Sequence, residues 1–157
     1  MNWQEVCNDP NLQNLPYKIE LNQWGQIVMS PVKVLHSIYQ GRIIRKISGL
    51  MKNGEVVPEC AIQTSKGTKA ADVAWISDDR LKIVQDETQC SVAPDICVEV
   101  MSESNTEDEM QKKKKLYFEA GAKEVWICDN GQMLFYTTER KSEFSLMMPG
   151  FPQNIEI

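Results

Sequence analysis

Histidine is almost missing from this chain: His36 is the only one. A metal site built from several histidines of one chain is therefore excluded. The five cysteines, Cys7, Cys60, Cys90, Cys97 and Cys128, are odd in number and contain no C-x-x-C pair. They form neither a disulfide framework nor a structural zinc pattern, and they suit a reducing compartment. There is no glycine-rich phosphate loop, no G-x-S-x-G and no H-E-x-x-H, so the chemistries tied to those motifs are set aside. No apolar run approaches the length that crosses a bilayer. Met1 leads into the polar stretch Asn2 to Asp9 rather than an apolar h-region, and a cytoplasmic address is expected. Positive charge is also short: 17 Lys and Arg stand against 22 Asp and Glu, a formal net charge of −5. Tight, unselective DNA binding rests on basic residues neutralising phosphates, so any nucleic-acid contact must come from a local basic patch. Repeats, low-complexity tracts and Pro/Gly/Ser-rich linkers are absent. The 157 residues fit one domain, 1–157, with the polar, proline-containing residues 1–16 as an N-terminal arm.

Hydrophobic residues make up 42% of the chain, enough for one continuous core. Tyr17 to Leu21 and Gln26 to Met29 read as short strands around a turn at Asn22 to Gly25. Ser30-Pro31 offers a helix start, with Ser30 as cap, and residues 32–51 read as a helix with Val32, Tyr39, Ile43, Ile47, Leu50 and Met51 on its apolar stripe. Strands are expected over 55–64, 70–76 and 95–101, with a polar loop over 78–93. A second helix is expected over 105–121, ended by Gly121. Strands over 124–128, 132–137 and 143–147 close the chain, the first two joined at Asp129-Asn130-Gly131. This order predicts an α+β fold, a mixed sheet with two main helices packed on it in α/β/α layers.

Chemistry is carried first by the strand Asp95-Ile-Cys-Val-Glu-Val-Met101. Side chains alternate across a strand, so Ile96, Val98 and Val100 share one face and Asp95, Cys97 and Glu99 the other. A carboxylate in so apolar a strand is costly to bury without compensation, by a bound cation or a lysine. A half-exposed face, where Glu99 meets water, is the ordinary alternative. Asp72 occupies a strand position beside small alanines in Ala70-Ala-Asp-Val-Ala-Trp-Ile76, although capping a loop would equally explain it. If the two strands pair antiparallel, Asp72 lies opposite Glu99, and two such carboxylates repel unless protonated or bridged by a cation. Mg²⁺ is held in this way, by one or two carboxylates with waters completing the shell.

The second helix carries Lys112 to Lys115 in a row. Four consecutive residues spread round a helix, so Lys112 and Lys115 face solvent while Lys113 and Lys114 flank the apolar side. Either of these two could reach Glu99, or Lys113 could pair with Glu109 one turn back. On the first helix, His36 and Gln40 interrupt the apolar stripe and need polar partners, in the core or at the edge of a site. Lys33, Arg42, Arg45, Lys46, Lys66 and Lys69 are candidates for a phosphate-facing patch, or simply solvated faces.

Taken together, several stretches resemble the Uma-two family of candidate endonucleases, a branch of the PD-(D/E)XK nuclease superfamily. They are Ile27-Val-Met-Ser-Pro31 with His36 beyond it, Ala71-Asp-Val-Ala-Trp75, Ala93-Pro-Asp-Ile-Cys-Val-Glu-Val100, and Lys113-Lys-Lys-Leu-Tyr-Phe-Glu-Ala-Gly121 followed by Glu124-Val-Trp-Ile-Cys-Asp129. The likeness runs from about Tyr17 to the C-terminus. It implies a restriction-endonuclease-like fold and a Mg²⁺- or Mn²⁺-dependent endonuclease acting on DNA, with Asp72 and Glu99 as metal ligands. Met101 stands where the superfamily's usual lysine would be, and the resemblance assigns that role to Lys113 on the following helix. It also sets aside Pro94-Asp95, only four residues before Glu99, as the eponymous pair. Many superfamily members carry a glutamate on the first helix; this helix has no acid, and Glu20 or Gln40 is the candidate replacement, with His36 beside them. A homodimer would suit cleavage of both strands. A catalytically inactive relative that binds nucleic acid or protein is the alternative.

Overall fold

The computed structural model describes residues 1–157. In chain order it contains α1 (Trp3–Asn8), β1 (Tyr17–Leu21), β2 (Ile27–Pro31), α2 (Val34–Leu50), β3 (Glu55–Thr64), β4 (Gly67–Ile76), α3 (Asp78–Val84), β5 (Ile96–Val100), α4 (Glu107–Glu119), β6 (Glu124–Asp129), β7 (Gln132–Tyr136) and β8 (Lys141–Ser142). Strands β3 to β8 form one sheet in sequence order, and β1 and β2 form a separate antiparallel hairpin. Every neighbouring pair in the large sheet is antiparallel except β5 and β6. That parallel pair needs a crossover, and α4 supplies it. The expected mixed α+β architecture is present. No helix is long and apolar enough to cross a membrane.

Apolar side chains fill both faces of the sheet. On one, Tyr39, Ile43 and Ile47 of α2 pack against Val73, Trp75, Ile96 and Val98, with Met148, Phe151 and Ile155 of the C-terminal segment closing the layer. On the other, Tyr117 of α4 and Val84 of α3 pack over Ile62, Cys97 and Val125. All five residues of β5 are buried, so the half-exposed alternative for Glu99 does not apply.

Several local expectations are corrected. Residues 78–93 contain α3 rather than only a loop: Ser77 caps it by accepting from the Arg80 amide, and Asp78 and Asp79 sit favourably in its first turn. Pro31 does not open the first helix. It pairs with Tyr17 at the end of β2, and α2 starts at Val34 after Lys33, without a side-chain cap. The strand expected over 143–147 is replaced by the two-residue β8 and a segment in which Ser145 Oγ and the Met147 amide donate to buried Glu124. Residues 1–16 carry α1, closed by a capping box between Asn2 and Glu5, and Trp3 Nε1 donates to the Thr88 carbonyl.

Asp95 belongs to this framework. Its Oδ1 accepts from the Ser77 amide at 2.8 Å, and its Oδ2 lies 3.2 Å from Lys123 and 3.6 Å from Arg80. Arg80 in turn donates to the carbonyls of Ala93 and Gly121, tying α3 to the entry of β5 and the exit of α4. Burial works against the charged carboxylate, but the Ser77 hydrogen bonds and the Arg80 and Lys123 charges outweigh it, and the pKa of Asp95 lies below the ordinary aspartate value. A depressed carboxylate contributes stability that is present above its unfolded pKa and is lost as pH falls through its folded pKa. Asp95→Asn is therefore expected to lower stability by about 1–3 kcal/mol at neutral pH. In urea titrations the gap to wild type should hold down to the ordinary aspartate range and narrow below it.

Candidate active site

Asp72 and Glu99 meet because of register. Val73 pairs with Val98 and Ala74 with Cys97 across β4 and β5, and continuing that register by one residue sets Asp72 opposite Glu99. β5 covers only Val73–Trp75 of β4; beside the earlier part of β4 lies β1. The site sits where β5 ends and the hairpin begins. The hairpin approaches closely: Gly67 has φ +91°, and a Cβ there would collide with the carbonyls of Leu21 and Asn22. Glu20 Oε2 accepts from the Ala70 amide at 2.7 Å, and Lys69 Nζ donates to the Leu21 carbonyl.

Alternation along β1 then sends Lys18 and Glu20 to the same side. Lys18 Nζ lies 3.0 Å from Asp72 Oδ1 and 3.1 Å from Glu99 Oε2, bridging the two carboxylates. Lys113 Nζ, from α4, lies 3.0 Å from Glu99 Oε1 and 2.9 Å from Glu20 Oε2. Tyr117, one helical turn beyond Lys113, donates its hydroxyl to the same Glu99 Oε1 at 2.6 Å. The Val100 amide donates to Asp72 Oδ2 at 2.8 Å, and His36 Nε2 lies 3.3 Å from that oxygen. The other ring nitrogen of His36 is buried without a partner.

Gln40 acts on the backbone. The β3–β4 ladder pairs Pro58 with Val73 and Cys60 with Ala71, but skips Glu59 and Asp72. Glu59 has φ +51° there. The Asp72 carbonyl accepts instead from Gln40 Nε2 at 2.7 Å, and the same amide reaches Glu59 Oε1. Gln40 thus satisfies the strand at the point where Asp72 leaves the ladder.

The electrostatics follow from burial and partners. Burial disfavours the Lys18 ammonium, yet the charges of Glu99, Asp72 and Glu20 outweigh it and raise its pKa well above the ordinary lysine value. Burial likewise opposes the Asp72 carboxylate, but Lys18 and His36 overcome it and hold its pKa well below the ordinary range. The Asp72 contact raises the pKa of His36 against the effect of burial. Burial, with Glu99 beside it, pushes the Tyr117 phenol far up, so it stays a donor.

All six residues singled out from sequence, Asp72, Glu99, Lys113, Glu20, His36 and Gln40, come together here. Packing separates the two lysine candidates: Lys113 enters the site, whereas Lys114 lies 4.2 Å above the Tyr136 ring. The Glu109–Lys113 pair is not formed, and Glu109 accepts from Asn105 instead. Sequence reasoning missed Lys18 and Tyr117. Lys18 was legible as an i,i+2 partner of Glu20 on β1, and Tyr117 as an i,i+4 partner of Lys113 on α4.

The site opens into a groove of about 350 Å³ whose lining includes Lys66, Lys69 and Lys112. Arg42, Arg45 and Lys46 do not line it, so the basic patch is narrower than the sequence suggested. Lys33 pairs with Glu103 at the surface.

No group of three or more His, Cys, Asp or Glu side chains converges as a ready-made metal cage. The donor set is two carboxylates already bridged by a cation, the ammonium of Lys18. Hard oxygen donors of this number fit Mg²⁺ or Mn²⁺ with water completing the shell, not a soft-metal site.

Residues 4–153 match the sequence model of the Uma2 family, described as "Putative restriction endonuclease", and the chain belongs to that family. A solved structure from Anabaena variabilis ATCC 29413, described as "a putative nuclease belonging to DUF820", is similar in fold with a TM-score of 0.73. The two are 18% identical, and the match covers 92% of this chain and 84% of that one. No curated protein matches the chain significantly.

Breaking a buried ion pair by removing one partner leaves an uncompensated charge. Lys113→Met is expected to cost about 3–5 kcal/mol in urea unfolding. Lys114→Met, which removes a partly exposed cation–π contact, should cost about 1 kcal/mol or less.

Proposed function

We propose that this chain is a divalent-metal-dependent endonuclease that hydrolyses phosphodiester bonds in DNA. The observation that carries the reading is the convergence of Asp72 and Glu99, from adjacent buried strands, on a single cation, with Lys113 on the far oxygen of Glu99. Membership of a restriction-endonuclease family supports the same chemistry and substrate class.

In this reading Asp72 and Glu99 hold Mg²⁺ or Mn²⁺, which when bound acidifies a water and offsets charge on the scissile phosphate. The remaining work falls to the chain. The Val100 amide and His36 fix Asp72 Oδ2, and Gln40 fixes its backbone. Tyr117 and Lys113 orient Glu99 through Oε1. The Lys113 ammonium stands at the groove wall, where it would meet the phosphate or the attacking water and stabilise developing negative charge. Glu20 holds Lys113 in place. Lys66 and Lys69 supply the local positive charge that the acidic chain otherwise lacks. Two copies, each with one site, would cut both strands.

One observation favours the second reading, a relative with the same fold that binds nucleic acid or protein without cutting. Every carboxylate of the site already has a lysine partner, so the cluster is self-consistent as an ion-pair network. A plasmid-nicking assay separates the two. With Mg²⁺ or Mn²⁺, wild type should nick supercoiled plasmid, and chelator should abolish it. Asp72→Ala, with its fold verified by circular dichroism, should fall by about 100-fold or more. Undiminished nicking by that variant would show the site to be wrongly assigned, and Mn²⁺ binding by wild type without nicking would support the non-catalytic relative.

A further inference from the structure

Lys18 is the residue whose position the proposed chemistry does not use. Its ammonium sits between the two carboxylates assigned to the metal, 3.0 Å from one and 3.1 Å from the other, with only 9% of its side chain exposed. A divalent ion held by Asp72 and Glu99 and a lysine bridging the same two groups compete for the same charge. Three carboxylates, Asp72, Glu99 and Glu20, face two ammoniums, Lys18 and Lys113, and the imidazole of His36 lies 3.3 Å from Asp72 Oδ2. Exchanging Lys18 for a divalent ion keeps positive charge between the two carboxylates, which buried acids require.

We infer that Lys18 is the site's built-in counter-cation, which keeps the acid pair assembled without metal and swings out into the groove when a divalent ion binds. The inference rests on the metal-site reading above and adds how loading of that site is regulated. The backbone around Lys18 favours a side-chain exchange over movement of the strand. β1 is pinned to β4 through Glu20 with the Ala70 amide and through Lys69 with the Leu21 carbonyl, and Gly67 packs against the same turn. The lysine stem is long and flexible, and Lys18 is one of the residues that line the groove. Withdrawn there, the ammonium stands where a phosphate backbone would run. Metal loading would then turn one internal cation into a substrate-facing one.

Two measurements test this. In wild type, trace acetylation with acetic anhydride, mapped by peptide mass spectrometry, should find Lys18 protected without metal and labelled several-fold more with saturating Mn²⁺. In calorimetric titrations Lys18→Met and Lys18→Gln should bind Mn²⁺ about tenfold or more tightly than wild type, and Asp72→Asn should abolish binding in either background. Equal Mn²⁺ affinity in wild type and Lys18 variants, with Lys18 still protected at saturation, would overturn the counter-cation role and leave the metal site standing. Absence of Mn²⁺ binding from wild type and variants alike would overturn both. Should the variants fail to fold, the labelling of wild type decides alone.

Discussion

Two carboxylates set opposite each other on adjacent buried strands repel, and most of what surrounds Asp72 and Glu99 is there to make that pairing tolerable. Positive charge arrives from both sides, Lys18 from the hairpin and Lys113 from the crossover helix. The remaining lone pairs go to Tyr117, the Val100 amide and His36. A low-dielectric interior makes such a network costly when half-satisfied and rigid when complete. In the proposed function that rigidity matters, because an acid pair held at fixed separation would be a prepared site for a divalent cation.

Topology decides which elements can contribute. β5 is short, so the first half of β4 is left for β1, and the junction between them is where the two carboxylates emerge. The parallel pair β5–β6 forces a crossover, and that crossover places α4 over the same end of the sheet. On the opposite face α2 packs Ile43 and Ile47 into the core, while Gln40, on the same helix, reaches the Asp72 carbonyl where the ladder is interrupted. The site is assembled from elements distant in sequence, none of which carries it alone.

Much of this arrangement is legible in the amino-acid sequence. Strand parity puts Asp72 and Glu99 on facing positions once antiparallel pairing is assumed, and the helical wheel narrows four lysines to Lys113 and Lys114. Choosing between those two needs packing, because Tyr136 offers Lys114 an aromatic face that no local pattern reveals. Lys18 is hidden for a similar reason: on a short, half-exposed strand a lysine reads as solvated until the hairpin is known to fold onto β4. The helix over Asp78–Val84 is obscured by polar composition, although Ser77 followed by two aspartates is a start signal. The stretch after β7 misleads differently. Its alternation suggests a strand, but burial of Glu124 recruits Ser145 and the Met147 amide as partners and bends the chain out of the sheet.

The paired carboxylates as a metal site are tested most directly by a crystal soaked in Mn²⁺ and measured for anomalous scattering. One peak bonded to carboxylate oxygens of both Asp72 and Glu99 is the predicted result. A peak at other side chains, with those two carboxylates still bridged by Lys18 alone, would contradict it.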